Sequence, residues 1–183
     1  MRHSIKNIFV IIILCLVSSG CSLFKGNNAG IEKPDGLSPL SVLPAGIEIN
    51  KYIMDKDYSN CQDVVCLASL IDGAAPYYIN SGANDILFCD FKSKASSQSF
   101  SVEVYKTNFI SEARTFFDNA TSVNASPLDG VGKAARLDEG LIGTYRIEAY
   151  KKNYFIRIVS SSKDEAMKDE IVNFAREVIS KFP

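Results

Sequence analysis

Ile86-Leu-Phe-Cys-Asp-Phe91 and Ser99-Phe-Ser-Val-Glu-Val-Tyr105, separated by the polar stretch Lys92–Gln98, decide the fold class. Both runs are short, apolar and rich in β-formers, so they read as the two strands of a hairpin. In the second run Phe100, Val102 and Val104 share one side and Ser101 and Glu103 the other. That alternation predicts a sheet with one face on a core and one in water. Downstream, Leu141–Tyr150 and Tyr154–Ser160 form a second hairpin across Lys151-Lys152-Asn153. Upstream, Ile47–Ile53 alternates with period two and reads as an edge strand.

Helical spacing brackets these strands. Val64, Leu67, Ala68, Ile71, Ala74, Ala75 and Tyr78 share one face of a helix over Asp63–Tyr78. Pro76 lies inside it, so a kink or break near Ala75 is expected. A short helix over Ser111–Asn119 buries Ala113, Phe116 and Phe117. At the C-terminus, Ser162-Lys-Asp-Glu165 has the form of a capping box. Met167, Ile171, Phe174, Ala175, Val178, Ile179 and Phe182 then form one apolar stripe. The order predicts an α+β domain, an antiparallel sheet covered by an N-terminal and a C-terminal helix.

The chain has 183 residues, of which 46% are hydrophobic and 22% charged, a composition that excludes disorder and an all-membrane protein. Its first twenty residues differ from the rest. Arg2 and Lys6 precede the apolar run Ile8–Val17, which is half the length a membrane-spanning helix needs, and no acid occurs. The run ends in Ser18-Ser19-Gly20-Cys21, and here the chain resembles bacterial lipoprotein signals. The resemblance implies cleavage after Gly20, acylation of the Cys21 thiol and attachment to the bilayer of the cell envelope. Ser22 is not the Asp that retains such proteins at the inner membrane, so the outer membrane, facing the periplasm, is favoured. Residues 21–43, with Gly26, Gly30, Pro34, Gly36 and Pro39, read as an unstructured lipidated tether. Residues 44–183 read as a single domain.

The only His of the chain is His3, within the signal. The mature domain therefore lacks the base of a Ser-His-Asp or Cys-His pair and the imidazole of a zinc or haem site. No cofactor or metal is implied. The negative balance and the absence of a basic stripe argue against nucleic acid. Cys61 and Cys66 do not have the spacing of a zinc knuckle, and an exported domain favours a disulfide between them. Three reduced cysteines, or a pairing with Cys89, are the alternatives.

From about Leu43 to Phe182 the chain resembles an exported bacterial family of unknown function. Its recurring feature is a Tyr-Ile-Asn-Gly-Gly-Ala-Glu-x-Tyr-like helix segment, a place occupied here by Leu70-Ile-Asp-Gly-Ala-Ala-Pro-Tyr-Tyr78. Ile71, Gly73, Ala75 and Tyr78 match, while Asp72 and Pro76 depart. The resemblance implies a fold similar to the photosystem accessory and Ran-binding accessory proteins, and no reaction. Two functions follow as expectations. One is a tethered, non-enzymatic binding or accessory domain for an envelope protein or small ligand. The other is a His-free envelope hydrolase or thiol redox enzyme. Tyr77, Tyr78 and Asn80, at a Pro76-kinked helix end, are the expected interaction rim, and Gly73 is expected there for close helix packing.

Overall fold

The computed structural model describes residues 36–183. Nine strands form a single antiparallel sheet: β1 Glu48–Ile49, β2 Tyr52–Met54, β3 Ser59–Cys61, β4 Ala83–Ser93, β5 Ser99–Thr107, β6 Ala125–Pro127, β7 Ala134–Asp138, β8 Arg146–Lys151 and β9 Tyr154–Ser160. Their spatial order is β1-β2-β4-β5-β9-β8-β7-β6, and β3 pairs with β4 beside β2. The helices are α1 Pro39–Val42, α2 Val64–Ala68, α3 Ala75–Asn80, α4 Ile110–Asn119 and α5 Glu165–Lys181. The predicted α+β class and both hairpins are present, with the C-terminal helix.

Period-two alternation sends side chains to two faces, and each face has its own core. On the first, Leu87, Phe91, Phe100, Val102, Val104, Ile147, Ile156 and Ile158 meet the whole predicted stripe of α5. The Phe174 ring stacks on Phe100 at 4.5 Å and meets Phe91 edge-on at 5.0 Å. Burying each such side chain contributes roughly 1.5–3 kcal/mol, which pins the helix to the sheet. On the second face, Ile86, Tyr105, Tyr150 and Phe155 are covered by Leu67, Ala75, Ala113 and Phe116 from α2, α3 and α4. The face expected to be in water is therefore half a second core. The described residues belong to one compact unit that holds both cores.

Several elements differ from expectation, each for a local reason. Ile47–Ile53 is a tight hairpin, turned at Asn50 with φ 55°, a conformation Asn tolerates better than most residues. The α5 N-cap is Asp164, whose Oδ1 accepts from the Met167 N–H at 3.0 Å. Ser162 instead donates its hydroxyl to Asp164. The tether reading left Pro39–Val42 without structure, yet it forms α1, with Leu43 fully buried behind it. The strand expected from Leu141 starts at Arg146, and β6 and β7 precede it. The helix expected over Asp63–Tyr78 is broken into α2 and α3 with the second starting at Ala75, as Pro76 implied, and Pro76 occupies the first turn of α3, where its missing N–H is harmless. Gly73 precedes α3 with φ +67° and open space where a Cβ would sit, so the backbone angle, not close packing, calls for glycine.

Candidate functional site

The second face carries a row of alternating charge across four strands. Glu103 on β5 is paired in register with Arg157 on β9, Arg157 with Glu148 on β8, and Glu148 with Arg136 on β7. The side chains follow the backbone. Arg157 Nη1 lies 3.0 Å from Glu103 Oε2, and its Nε donates to Glu148 Oε1 at 3.1 Å. Arg136 donates to Glu148 Oε2 at 2.7 Å and to the carbonyls of Phe117 and Ala120, which tie the end of α4 to the sheet. Glu148 is 1% exposed and thus one buried anion among several cations.

A second row continues it. Arg146 donates to Asp138 Oδ2 at 2.8 Å, and its Nε stands 3.5 Å from Glu148 Oε1, an ion-pair contact without hydrogen-bond geometry. Asp138, fully buried, also accepts from the backbone of Val123, Asn124 and Gly140. Burial pushes its pKa up, but those three N–H groups and Arg146 together hold it below the ordinary carboxylate value. Burial likewise opposes the charge on Arg157. Glu103, then Tyr78, Tyr105 and Glu148 outweigh it and hold the guanidinium pKa above its usual value.

Where the row emerges beside β4 it borders a groove of about 370 Å³. Leu70, Ile71 and Phe88 supply apolar walls, while Asp57, Asp90 and Glu103 supply carboxylates. Ser101 donates to Asp90 at 2.7 Å, and Tyr105 donates its phenol to Glu103 at 2.8 Å. Burial, followed by Glu103, raises the Tyr105 pKa, so the phenol stays a donor. The groove thus offers hydrogen-bond acceptors and negative charge between apolar walls. That chemistry suits an ammonium, guanidinium or amide donor with an apolar body.

The expected rim adjoins this groove through Tyr105. Tyr78 stacks on Tyr105 at 4.5 Å and is half-buried against Phe116, so it belongs as much to the second core as to a surface. Tyr77 is 44% exposed, meets Tyr78 edge-on at 5.2 Å and accepts from Asn119 at 3.3 Å. Asn80 is exposed at the end of α3. Cys61 and Cys66 are joined as a disulfide with Cα atoms 5.5 Å apart, bridging β3 to α2 beside the groove. Cys89 is a buried free thiol, pushed up to about 12 by burial and then by Asp90. No thiol among the described residues is set up as a nucleophile. Cys21 lies outside the described residues.

The charged rows were missed in the sequence, although each member leaves one trace. Val102-Glu103-Val104, Ile156-Arg157-Ile158, Ile147-Glu148-Ala149 and Ala135-Arg136-Leu137 each place a charge between two apolar neighbours inside a strand. Alternating signs on strands that pair would have signalled a ladder rather than a wet face.

No family model and no curated protein sequence matches the chain. Among solved structures, it is similar to the extracellular domain of PknH from Mycobacterium tuberculosis, at 12% identity and a TM-score of 0.39. The match covers 78% of this chain and 90% of that one. A likeness that loose transfers no property. No helix of the described residues is long and apolar enough to cross a membrane.

Proposed function

We propose that this chain is an exported lipoprotein, anchored in the outer membrane through acylated Cys21, whose domain is a non-enzymatic binding module. Its partner, an envelope protein or small ligand, would present basic or amide donor groups to the groove beside Tyr77 and Tyr78. The observation that carries the binding reading is the groove itself. Asp57 and Asp90 look into a half-open space with apolar walls, while the buried charges behind them satisfy one another. Arg157 and Glu148 neutralise each other on their own backbone registers, the arrangement of a rigid floor rather than of an acid–base pair awaiting substrate. Export is supported by the Cys61–Cys66 disulfide, which needs an oxidising compartment. Anchoring is supported by the position of Cys21 at the end of the apolar run. Helices on both faces of a large antiparallel sheet support kinship with the photosystem and Ran-binding accessory domains.

The thiol-enzyme reading is disfavoured by the raised Cys89 pKa and by the joining of the other two described cysteines. The binding reading is tested with a photo-crosslinking residue at Leu70, which is 41% exposed on the groove wall. A discrete adduct should form in the native envelope and vanish in Asp90→Lys, while the melting temperature of that variant stays near that of the parent. An adduct unaffected by Asp90→Lys and by Tyr77→Ala overturns the assignment. For the anchor, Cys21→Ala should abolish incorporation of labelled fatty acid.

A further inference from the structure

One wall of the groove beside β4 is hung on the fold differently from the rest. Leu70 and Ile71 belong to the segment 63–73, which follows β3, forms α2 and leads to α3. Its backbone hydrogen bonds close on themselves: Leu67 donates to Asp63, Ser69 to Cys66, and both Leu70 and Ile71 to Leu67. The Asp63 carboxylate caps the Val65 and Cys66 N–H groups. Among the described residues, no backbone group of this segment is bonded to a strand of the sheet. Ser59, which also lines the groove, is by contrast paired with Phe88 inside the ladder, and Asp90 and Glu103 stand on the long strands β4 and β5.

Little apolar surface ties this segment down. Leu67 is fully buried in the second core, and Cys66 and Ile71 pack against it partly buried. Much of the remainder faces outward, with Val65 78% exposed. Helix α2 has five residues, too few to persist without outside support, and one buried leucine is little to set against the entropy of ordering the segment. At its far end Gly73 takes a left-handed turn with open space where a Cβ would sit, which leaves room for a pivot. The remaining tie is covalent. Cys61 ends β3, and Cys66 lies in α2 shortly before Leu70, so the disulfide joins a strand of the sheet directly to the groove wall.

We propose that the Cys61–Cys66 disulfide is a redox latch. Oxidised, it holds residues 63–73 in place as the apolar wall of the groove. Reduced by a protein dithiol, it releases that wall while the sheet and α5 stay folded, and the groove loses its grip on its ligand. The effect on binding rests on the groove being the binding site; the movement of the segment does not. Cys61 is fully buried and Cys66 partly exposed, so the thiolate of the dithiol attacks Cys66 Sγ. The S–S bond breaks, and its electron pair leaves on Cys61 Sγ, which takes up a proton. The second thiolate of the dithiol then attacks its own sulfur in the mixed disulfide and expels the Cys66 thiolate, which is protonated in turn. The dithiol is oxidised to a disulfide, and the two cysteines gain the two electrons and two protons it gives up. The fold survives because neither cysteine belongs to the first core and the loop they close is short.

The test is amide hydrogen exchange on the full chain in detergent, oxidised and after reduction with dithiothreitol. Residues 63–73 should exchange about tenfold faster or more once reduced, whereas β4, β5 and α5 should change by less than about twofold. Cys61→Ser with Cys66→Ser should show the reduced pattern without reductant and no response to it. Benzamidinium, a planar cation with an apolar body, serves as the probe of the groove. It should bind the oxidised chain about fivefold more tightly or better than the reduced chain, and reductant should not alter its affinity for the double variant. Unchanged exchange in residues 63–73 overturns the proposal. Loss of protection throughout the sheet overturns it too, since the disulfide would then hold the fold and not a latch. Equal benzamidinium affinity for both redox forms overturns the control of binding. Failure of the groove itself shows separately, as benzamidinium bound by neither form, and leaves the exchange result to decide the latch.

Discussion

Glu148 and Arg157 face each other across β8 and β9, with Arg157 Nε 3.1 Å from Glu148 Oε1. Glu148 also holds Arg136 at 2.7 Å and has Arg146 at 3.5 Å, whereas Glu103 holds Arg157 alone among the arginines. Removing Glu148 therefore leaves three guanidinium groups, each less than one-fifth exposed, short of their shared anion. Breaking buried pairs of this kind costs about 3–5 kcal/mol. Glu103 is 22% exposed, and its removal should cost about 1 kcal/mol. Urea denaturation of Glu148→Ala and Glu103→Ala should show that order. Equal losses would mean that the ladder is not centred on Glu148.

Much of this architecture was legible in the chain, and the part that was not has a common cause. The α5 stripe from Met167 to Phe182 and the alternation Phe100–Val104 of β5 were readable because local periodicity alone assigns their faces. The Cys61–Cys66 pair was readable from spacing and compartment, with alternatives left open. Glu103 looked like a solvent position, and Arg136, Glu148 and Arg157 carried no signal of their own, because period-two alternation says which face a residue takes, not what covers that face. Only the strand order, which juxtaposes β5, β9, β8 and β7, turns four isolated charges into a ladder. The stacking of Tyr78 on Tyr105 was out of reach for the same reason, because it depends on where α3 lands on the sheet. Asp164 rather than Ser162 is the N-cap: Asp and Ser both cap helices well, and Asp164 does so without a capping-box partner, Met167 standing three positions on.

The disulfide closes a short loop, so it removes little chain entropy. Cys61→Ser with Cys66→Ser should lower stability by about 2 kcal/mol or less. Cys89 should resist iodoacetamide at neutral pH until the protein unfolds, since its thiol is buried and pushed up to about 12. Because the folded state keeps that proton longer than the unfolded chain does, the contribution is complete below pH 9 and lost as pH rises toward 12. Rapid alkylation of Cys89 in the native protein would contradict its burial. A Cys89→Val variant should retain stability at pH 10 better than the parent does, relative to pH 7.

Asp138 works in the opposite sense. Its folded pKa lies below the ordinary 3.8, so the stability it contributes is present above that value and lost as pH falls through the folded pKa. Asp138→Asn should accordingly be less stable than the parent at pH 6, with the difference shrinking below about pH 4. Melting temperatures across that range provide the measurement. A difference that stays constant down to acid would show that the carboxylate acts through shape rather than charge. In Asp138→Ala the Val123, Asn124 and Gly140 amides should lose hydrogen-exchange protection together, because one carboxylate serves all three.

Gly73 and Gly132 separate two reasons for glycine. Both have left-handed backbones, with φ +67° and +59°, but a Cβ on Gly73 would meet open space. A Cβ on Gly132 would sit 2.7 Å from the Tyr150 carbonyl oxygen, which also accepts from the Lys133 N–H at 2.8 Å. That oxygen is backbone and cannot swing away, so relief requires moving β8 or giving up the hydrogen bond. Gly73→Ala should therefore cost about 1–2 kcal/mol, the penalty of the left-handed conformation alone. Gly132→Ala should cost about 1–3 kcal/mol more, because steric strain or a lost bond is added to the same angle. Chemical denaturation of both variants under one condition decides the matter. If the two losses agree, the Tyr150 contact is not what keeps glycine at position 132.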